Sequence, residues 1–385
     1  MAKLPTMKER CQSLIASPSV SATLDHLDQS NHGVIELLFA WFSELGFSCE
    51  VIEVSPGKSN LIASMGSGPG GLVLSGHTDT VPCDPALWQS DPFVLREAQD
   101  RWYGLGIIDM KGFFSTVIEV LTKLDLTKLK RPRVIVATCN EESSMAGARK
   151  LIELNRKLGK MTVIGEPTGL KPIRAHKGIM MERLELHGQS GHSSDPRLGR
   201  NALDAMSDCL VALKTLRRSW AKEYHHDAFS IAHPTLNLGC IHGGDNPNRI
   251  CGQCTLDFDV RTIPGLAPEH IRSLILDVVQ PICDQHGVSF NFGPLIEALP
   301  SFEEHRDASL LKSLEQLTST SAESVAFGTE APYFKALSDE VVILGAGSID
   351  VAHQPNEYLD LQTLNPALRV FQQLIIKHCM MELDS

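Results

Sequence analysis

The sequence lacks the features that would assign it to several specialised classes of protein. It contains no uninterrupted apolar run long enough to cross a bilayer. Its first residues show neither the apolar core nor the cleavage pattern of a signal peptide. Repeats and low-complexity segments are also missing. We therefore expect a cytoplasmic globular protein that has no membrane partner.

Positive charge is in deficit as well. The 385 residues include 35 lysines and arginines against 46 aspartates and glutamates, and the formal net charge is −11 at pH 7. Such a balance repels the phosphate groups of nucleic acids and of anionic lipids. The composition therefore argues against a nucleic-acid partner, but it permits a small cationic substrate.

The ten cysteines do not have the spacing of a disulfide framework. Their scattered positions are typical of reduced thiols in the cytoplasm. Cys251 and Cys254 form one CxxC pair, but a zinc knuckle requires a second pair, and none follows. We therefore expect neither a structural zinc site nor a redox function at this pair.

The sequence does contain an alternation of strand-like and helix-like segments. The apolar runs GLVLSG, RVIVAT and MTVIGE suit strands that are buried on both faces, and helical patterns lie between them. Between residues 179 and 292 the order becomes β-α-β-β-α-β, which is typical of a ferredoxin-like module. We predict an α/β catalytic domain with a largely parallel sheet, formed by residues 1–178 and 293–385, and an inserted α+β domain at residues 179–292.

Residues of metal-binding types follow four of the apolar strands, and one more lies in a glycine-rich turn before a helix. These residues are His77, Asp109, Glu141, Glu142, Glu166 and His353. Segments that follow parallel strands converge, because the carboxyl ends of such strands share one edge of the sheet. Two imidazoles with three or four carboxylates suit zinc or a related divalent ion.

The number of acidic residues favours two ions rather than one. Two divalent ions carry four positive charges, of which Asp109, Glu142 and Glu166 offset three. A hydroxide, the nucleophile of a two-metal hydrolase, would supply the remaining negative charge. The sequence therefore predicts a hydrolytic two-metal site.

Three acids near the candidate ligands have distinct predicted roles. Asp79 lies two residues after His77 and faces the same way in an extended chain, so its carboxylate should orient the imidazole. The adjacent residues Glu141 and Glu142 should point in different directions, so that one can bind metal while the other transfers protons.

Each of these residues taken alone has a simpler interpretation. Adjacent glutamates are usually a solvated surface, Asp109 could balance the dipole of the helix that follows it, and His353 could be a buried core histidine. The order in which so many ligand types occur at strand ends favours the metal site over these separate interpretations.

The motifs resemble those of the M20 family of metallohydrolases, in the same order and over nearly the whole chain. They are SGHTDTVP, GLGIIDMKG, NEES, IGEPT, GQSGHSS and GAGSIDVAHQPNEY. The resemblance implies two Zn²⁺ per subunit, with Co²⁺ as a substitute, and a cis peptide after Asp109. It also implies that His77 and Glu166 bind one ion, that Glu142 and His353 bind the other, and that Asp109 bridges them.

The resemblance implies further roles. Glu141 matches the general base, and Asp79 matches the carboxylate behind the histidine. His192 matches a lid histidine that, in dimeric members, reaches the active site of the partner subunit and stabilises the oxyanion. We therefore expect the inserted domain to serve as a lid and to form a homodimer. Arg261 and Asn248 match positions that hold the substrate in relatives.

Within the family, several segments resemble members that remove the acetyl group from N2-acetyl-L-ornithine in arginine biosynthesis. These segments are AHKG, GQSGHSSDP, TLNLGCIHGGD, NRIC and GTEAPY. Arg261 would then pair with the α-carboxylate of the substrate, and Glu330 in GTEAPY with its ammonium group. The alternative is desuccinylation of succinyl-diaminopimelate, or a broader aminoacylase or dipeptidase activity. A succinyl group would need an additional cationic contact in the site. The GTEAPY segment presents an acid instead, which favours the acetyl substrate.

Three other classes of protein are less well supported. The segment GQSGH approaches the G-x-S-x-G motif of serine hydrolases, but His192 occupies the position of the last glycine. The segment GAGSID lacks the third glycine of a dinucleotide-binding fingerprint and has no helix directly behind it. A binding protein derived from the M20 family would be expected to lose ligands or the base, and all of them are present.

Overall fold

A computed structural model describes residues 4–68, 70–155 and 157–381. The helices, in chain order, are α1 (Met7–Ile15), α2 (His32–Glu44), α3 (Lys111–Thr122), α4 (Ala146–Glu153), α5 (Ala202–Glu223), α6 (Pro268–His286), α7 (Ser309–Thr318), α8 (Ala331–Leu337) and α9 (Leu361–Ile375). Within the described residues, each helix is too short or too polar to cross a bilayer.

The strands are β1 (Ser48–Ser55), β2 (Lys58–Met65), β3 (Leu72–His77), β4 (Arg96–Ala98), β5 (Arg101–Tyr103), β6 (Arg133–Thr138), β7 (Met161–Ile164), β8 (Ile173–His176), β9 (Gly178–His187), β10 (Thr235–Gly243), β11 (Gln253–Thr262), β12 (Ser289–Pro294), β13 (Phe302–Glu303), β14 (Glu323–Val325), β15 (Glu340–Ile343) and β16 (Tyr358–Asp360).

The chain divides into two compact units. The first runs up to Arg174 and also contains residues 304–323 and the chain from Thr329 onward, whereas the second contains residues 175–303 and 324–328. The sequence pattern placed the two boundaries at 178 and 293. In the structure they fall after Arg174 and after Glu303. Strand β13 pairs with the end of β8, with Phe302 opposite His176.

The first unit contains a sheet whose central strands are parallel. Their order is β6-β3-β7-β15, and each neighbouring pair is parallel. On the β6 side, β2 and then β1 are added in antiparallel orientation. Every residue of β3 and β6 is buried, which explains their continuous apolar runs. The predicted largely parallel sheet is confirmed.

Helix α3 packs closely against the sheet where two central strands end. A Cβ atom at Gly165 would collide with the ring of Phe113, and one at Gly76 would collide with the side chain of Met110. Glycine at these two positions therefore permits the close approach of α3. The residues that directly follow the two glycines are His77 and Glu166.

The second unit contains a four-stranded antiparallel sheet in the order β10-β11-β9-β12. Along the chain its elements follow the predicted order β-α-β-β-α-β. Strand β9 alternates in burial, and Met180, Leu184 and Leu186 point into the core. Glu182 lies on the same buried face and is fully enclosed, and Arg272 of α6 donates to both of its carboxylate oxygens.

Candidate metal centre

The polar residues that follow the four parallel strands lie at one edge of the sheet. His77 is the last residue of β3, Glu141 and Glu142 follow β6, and Glu166 follows β7. His353 comes from the segment after β15. The carboxyl ends of parallel strands share an edge, so residues far apart in sequence meet there.

Two groups of three potential ligands share one aspartate. The first group is His77, Asp109 and Glu166, and the second is Asp109, Glu142 and His353. Within each group the ligand atoms lie within 4.8 Å of one another. One carboxylate oxygen of Asp109 lies 3.0 Å from His77 Nε2, and the other lies 3.1 Å from His353 Nε2. Asp109 therefore stands between the groups, and the peptide bond that follows it is cis.

Glu141 lies beside these groups. It forms a third cluster with His77 and Glu142, whose ligand atoms again lie within 4.8 Å of one another. The neighbouring Glu142 places Oε1 3.1 Å from His353 Nε2. Asn140 precedes the pair with a φ of +58°, in the left-handed region that asparagine tolerates better than most residues. The chain therefore turns sharply before the two glutamates.

The orientation of His77 differs from the sequence prediction. Its Nδ1 lies 3.0 Å from the backbone carbonyl oxygen of Asp79, whereas the nearest carboxylate oxygen of Asp79 is 3.8 Å away. The other carboxylate oxygen accepts a hydrogen bond from the backbone N–H of Glu142 at 3.0 Å. The Asp79 carboxylate is thus directed towards the Glu142 amide. The backbone carbonyl of Asp79, rather than its carboxylate, is the group that contacts His77 Nδ1.

Crowding of buried acids shifts the pKa values at the site. Burial disfavours the charged form of His77, but three neighbouring carboxylates, led by Asp109, outweigh it and raise the pKa of the imidazole well above its usual value. Burial and nearby carboxylates raise the pKa of Glu141 and of Glu166 well above the usual range. Hydrogen bonds to two carboxylates raise the pKa of His353 to about 10.

The donor set fits divalent metal ions. Each of the two groups that share Asp109 offers one imidazole and two carboxylates, which suit zinc and related ions. Glu166 Oε1 is buried and has no hydrogen-bond partner among the described residues, so its lone pairs are available to a cation. A divalent ion would also relieve the repulsion between the buried acids.

Glu330 is enclosed near the same edge of the sheet. It is 1% exposed, and its Oε2 accepts a hydrogen bond from Thr138 Oγ1 at 2.8 Å. Burial raises the pKa of Glu330 to about 7. The sequence predicts that Glu330 contacts a substrate ammonium. Because the carboxylate is buried, this contact requires the surrounding residues to move.

Three predicted site residues belong to the second unit and have local contacts of their own. His192 Nδ1 accepts a hydrogen bond from the backbone N–H of Ser194 at 3.2 Å, so the neutral ring carries its proton on Nε2. Arg261 Nε donates to Asp259 Oδ1 at 2.9 Å. Asn248 is exposed, and its backbone carbonyl oxygen accepts a hydrogen bond from the backbone N–H of Ser193, the residue after His192.

One buried residue beside the site was missed by the sequence analysis. Glu357 accepts hydrogen bonds from backbone N–H groups of the loop that carries Asp109. It lies in the motif HQPNEY, four residues after His353, so its position beside a candidate ligand was the signal that could have identified it.

The fold and the site together indicate a metal-dependent hydrolase. The parallel sheet carries at one edge two potential ligand groups that share the Asp109 carboxylate. The chain belongs to peptidase family M20/M25/M40, whose sequence profile matches residues 73–377. This membership confirms the family resemblance and the α/β fold class with an inserted α+β unit.

Known proteins resemble the chain over almost its full length. Acetylornithine deacetylase of Vibrio campbellii is 44% identical over 377 residues, which cover 98% of this chain and 100% of that protein. Aminopeptidase PepT from Bacillus cereus has a TM-score of 0.76 at 16% identity, with 96% of this chain and 97% of that chain covered. A Bacillus subtilis dinuclear metal binding peptidase from the M20 family has a TM-score of 0.68 at 17% identity, with coverage of 96% and 97%. At such identities the two structures support the fold alone.

Proposed function

We propose that this protein is a metal-dependent amide hydrolase that removes the acetyl group from N2-acetyl-L-ornithine and releases L-ornithine and acetate, a step of arginine biosynthesis. The observation that carries the reaction class is the sharing of Asp109 by two ligand groups beside Glu141. The substrate is supported by 44% identity over nearly the full length to acetylornithine deacetylase of Vibrio campbellii.

The site is proposed to hold two zinc ions, for which cobalt can substitute. His77 and Glu166 would hold one ion, Glu142 and His353 would hold the other, and Asp109 would contact both. Bound ions of this kind lower the pKa of a water molecule and polarise a carbonyl group. The remaining chemistry is assigned to side chains of the chain itself.

Glu141 is proposed to move the proton. Its carboxylate accepts a proton from the attacking water, whose oxygen forms a bond to the acetyl carbon. When the carbon–nitrogen bond breaks, Glu141 donates the proton to the leaving amine nitrogen, and the water oxygen stays in acetate. The position of Glu141 beside His77 and Glu142 supports this role, because it places the carboxylate next to both proposed ions.

His192 is proposed to stabilise the oxyanion that forms on the acetyl carbonyl. The hydrogen bond from Ser194 to Nδ1 supports this role, because it leaves the Nε2–H group as a donor. We further propose a cytoplasmic homodimer in which this donor acts on the site of the other subunit. Arg261 is proposed to bind the α-carboxylate of the substrate, and Asn248 its polar groups.

The test is an assay of the zinc-loaded protein on N-acetyl-L-ornithine and on N-succinyl-diaminopimelate, each with and without a chelator. We expect turnover of the acetyl substrate alone, loss of turnover in chelator, and recovery when zinc is restored. Preference for the succinyl substrate would overturn the proposed substrate and leave the metal site. Absence of turnover of both substrates with metal bound would overturn the proposed function.

A further inference from the structure

A buried carboxylate outside the candidate ligand set holds the loop that carries Asp109. Glu357 is only 2% exposed. Its Oε2 accepts a hydrogen bond from Gly106 N at 2.9 Å, and its Oε1 accepts from Ile108 N at 2.8 Å and Asp109 N at 3.2 Å. Three backbone donors of one loop therefore converge on a single side chain.

These donors depend on Glu357. The N–H groups of Gly106, Ile108 and Asp109 have no other acceptor among the described residues, and all three residues are buried. A buried N–H without an acceptor is strongly unfavourable, so the loop would have to rearrange if the carboxylate were removed. Asp109 would move with it, because its own amide is one of the three donors.

Glu357 is also part of the segment that carries His353. Only three residues separate the two, and both His353 and Asn356 have φ values in the left-handed region, at +57° and +64°. The carbonyl oxygen of Glu357 accepts from Gly104 N at 3.2 Å, which ties the same segment to the start of the loop that carries Asp109. Two candidate ligands from distant parts of the chain are thus connected through one residue.

The two ligand groups depend on this connection to different extents. In the group of His77, Asp109 and Glu166, the histidine ends a buried central strand and the glutamate follows another, so the sheet itself positions two of the three ligands. In the group of Asp109, Glu142 and His353, two of the three ligands belong to the segments that Glu357 joins. The His353 side chain is half exposed, and its Nε2 lies 3.1 Å from a carboxylate oxygen of Asp109 and of Glu142.

We infer that Glu357 is a positioning residue that joins the segments of Asp109 and His353 and thereby sets the affinity of the His353 group for its metal ion. This inference rests on the proposed two-metal site. It assigns Glu357 no contact with substrate or metal. It predicts that loss of the carboxylate weakens one ion far more than the other.

The variants are Glu357→Gln and Glu357→Asp, with Glu304→Gln as the matched control. Glutamine retains the size of the side chain but replaces one acceptor oxygen with a donor, and aspartate is too short to reach all three N–H groups. Glu304 is likewise buried in the first unit and accepts from the backbone N–H groups of His305 and Val341. It belongs to none of the ligand groups found among the described residues.

The measurement is calorimetric titration of each metal-free protein with zinc, at a temperature where thermal unfolding shows that all variants are folded. We expect two ions to bind the unaltered protein. In both Glu357 variants the dissociation constant of one ion should rise about 10- to 100-fold, whereas that of the other, which also shares Asp109, should rise by a clearly smaller factor. The Glu304 variant should bind both ions as the unaltered protein does, even if its melting temperature falls.

Several results would overturn the inference. They are unchanged binding of both ions by the Glu357 variants, equal weakening of both ions, and the same selective loss in the Glu304 variant. The titration does not use a substrate, so its outcome is separate from the activity assay. If the unaltered protein fails to bind two ions, the proposed metal site is wrong and the inference falls with it.

Discussion

The Nδ1 atom of His77 lies 3.0 Å from the backbone carbonyl oxygen of Asp79, closer than either oxygen of the Asp79 carboxylate. Donation from Nδ1 to this carbonyl fixes the tautomer and leaves Nε2 facing Asp109 at 3.0 Å. The Asp79 carboxylate instead accepts from the N–H of Glu142. One residue therefore supports two candidate ligands, one through its backbone and one through its side chain.

This geometry predicts that Asp79 variants act through Glu142. Asp79→Ala removes the acceptor for the Glu142 amide and should weaken metal binding about 10- to 100-fold. Asp79→Asn keeps an amide oxygen that can accept from the same N–H, so its effect should be much smaller. Zinc titration of both variants measures the difference. An equal loss in the two variants would show that the charge of Asp79, rather than its hydrogen bond, matters.

Replacement of Glu141 should separate catalysis from metal binding. Glu141→Ala removes the proposed proton carrier but none of the five candidate ligands, so we expect two bound ions and a fall in kcat of about 10²- to 10⁴-fold. Metal analysis and steady-state kinetics measure the two effects. Glu142→Ala is the contrasting variant, because it should lose an ion as well as activity. Normal turnover by the Glu141 variant would contradict the assignment of the base.

Titration of Glu330 should make the metal-free protein less stable as pH rises. Burial raises the pKa of this group from 4.5 to about 7, so the folded state binds more protons than the unfolded state between these values. The stability that its protonated form provides is complete below about pH 4.5 and is lost as pH rises through about 7. Glu330→Gln cannot titrate and should flatten this part of the curve.

Urea unfolding from pH 5 to pH 8, with chelator present, measures the effect of Glu330. The difference in unfolding free energy between the two proteins should change by roughly 1 to 3 kcal/mol over this range. Parallel curves would show that the folded and unfolded proteins share the same Glu330 pKa.

The same variant tests the contact of Glu330 with the substrate ammonium that the sequence predicts. If its carboxylate pairs with the side-chain ammonium of N-acetylornithine, Glu330→Gln should raise KM for that substrate far more than KM for N-acetylmethionine. N-acetylmethionine is the internal control because it has no ammonium group. An equal rise for both substrates would mean that Glu330 acts on the structure of the site and not on substrate charge.

The ion pair in the core of the second unit should contribute strongly to stability. Arg272→Met leaves Glu182, which is fully enclosed, without its cation, and we expect a loss of about 3 to 5 kcal/mol in unfolding free energy. Asp257→Asn is the control, since it breaks the pair with the half-exposed Arg183 and should cost less than about 1 kcal/mol. Equal effects in denaturant unfolding would contradict the difference that burial predicts.

Local sequence patterns located the buried central strands but not every neighbour. The run RVIVAT coincides with β6, because a strand buried on both faces must be apolar at every position. Strand β2 was not predicted, since it begins with Lys58, Ser59 and Asn60. All three are nevertheless buried. Asn60 donates to the carbonyl oxygen of Gly147 and accepts from the N–H of Cys139, and such distant partners leave no local signal.

The sequence by itself determined which chemical groups follow the parallel strands and that these groups share one edge of the sheet. It also determined the order of elements in the second unit, because burial imposes a period on each strand and helix. Only the tertiary structure decided how the groups are paired. The two oxygens of Asp109 face different histidines, and Glu357 bonds to a loop about 250 positions earlier in the chain. Hydrogen bonds are directional and short, so contacts of this kind depend on how distant segments pack and not on any local pattern.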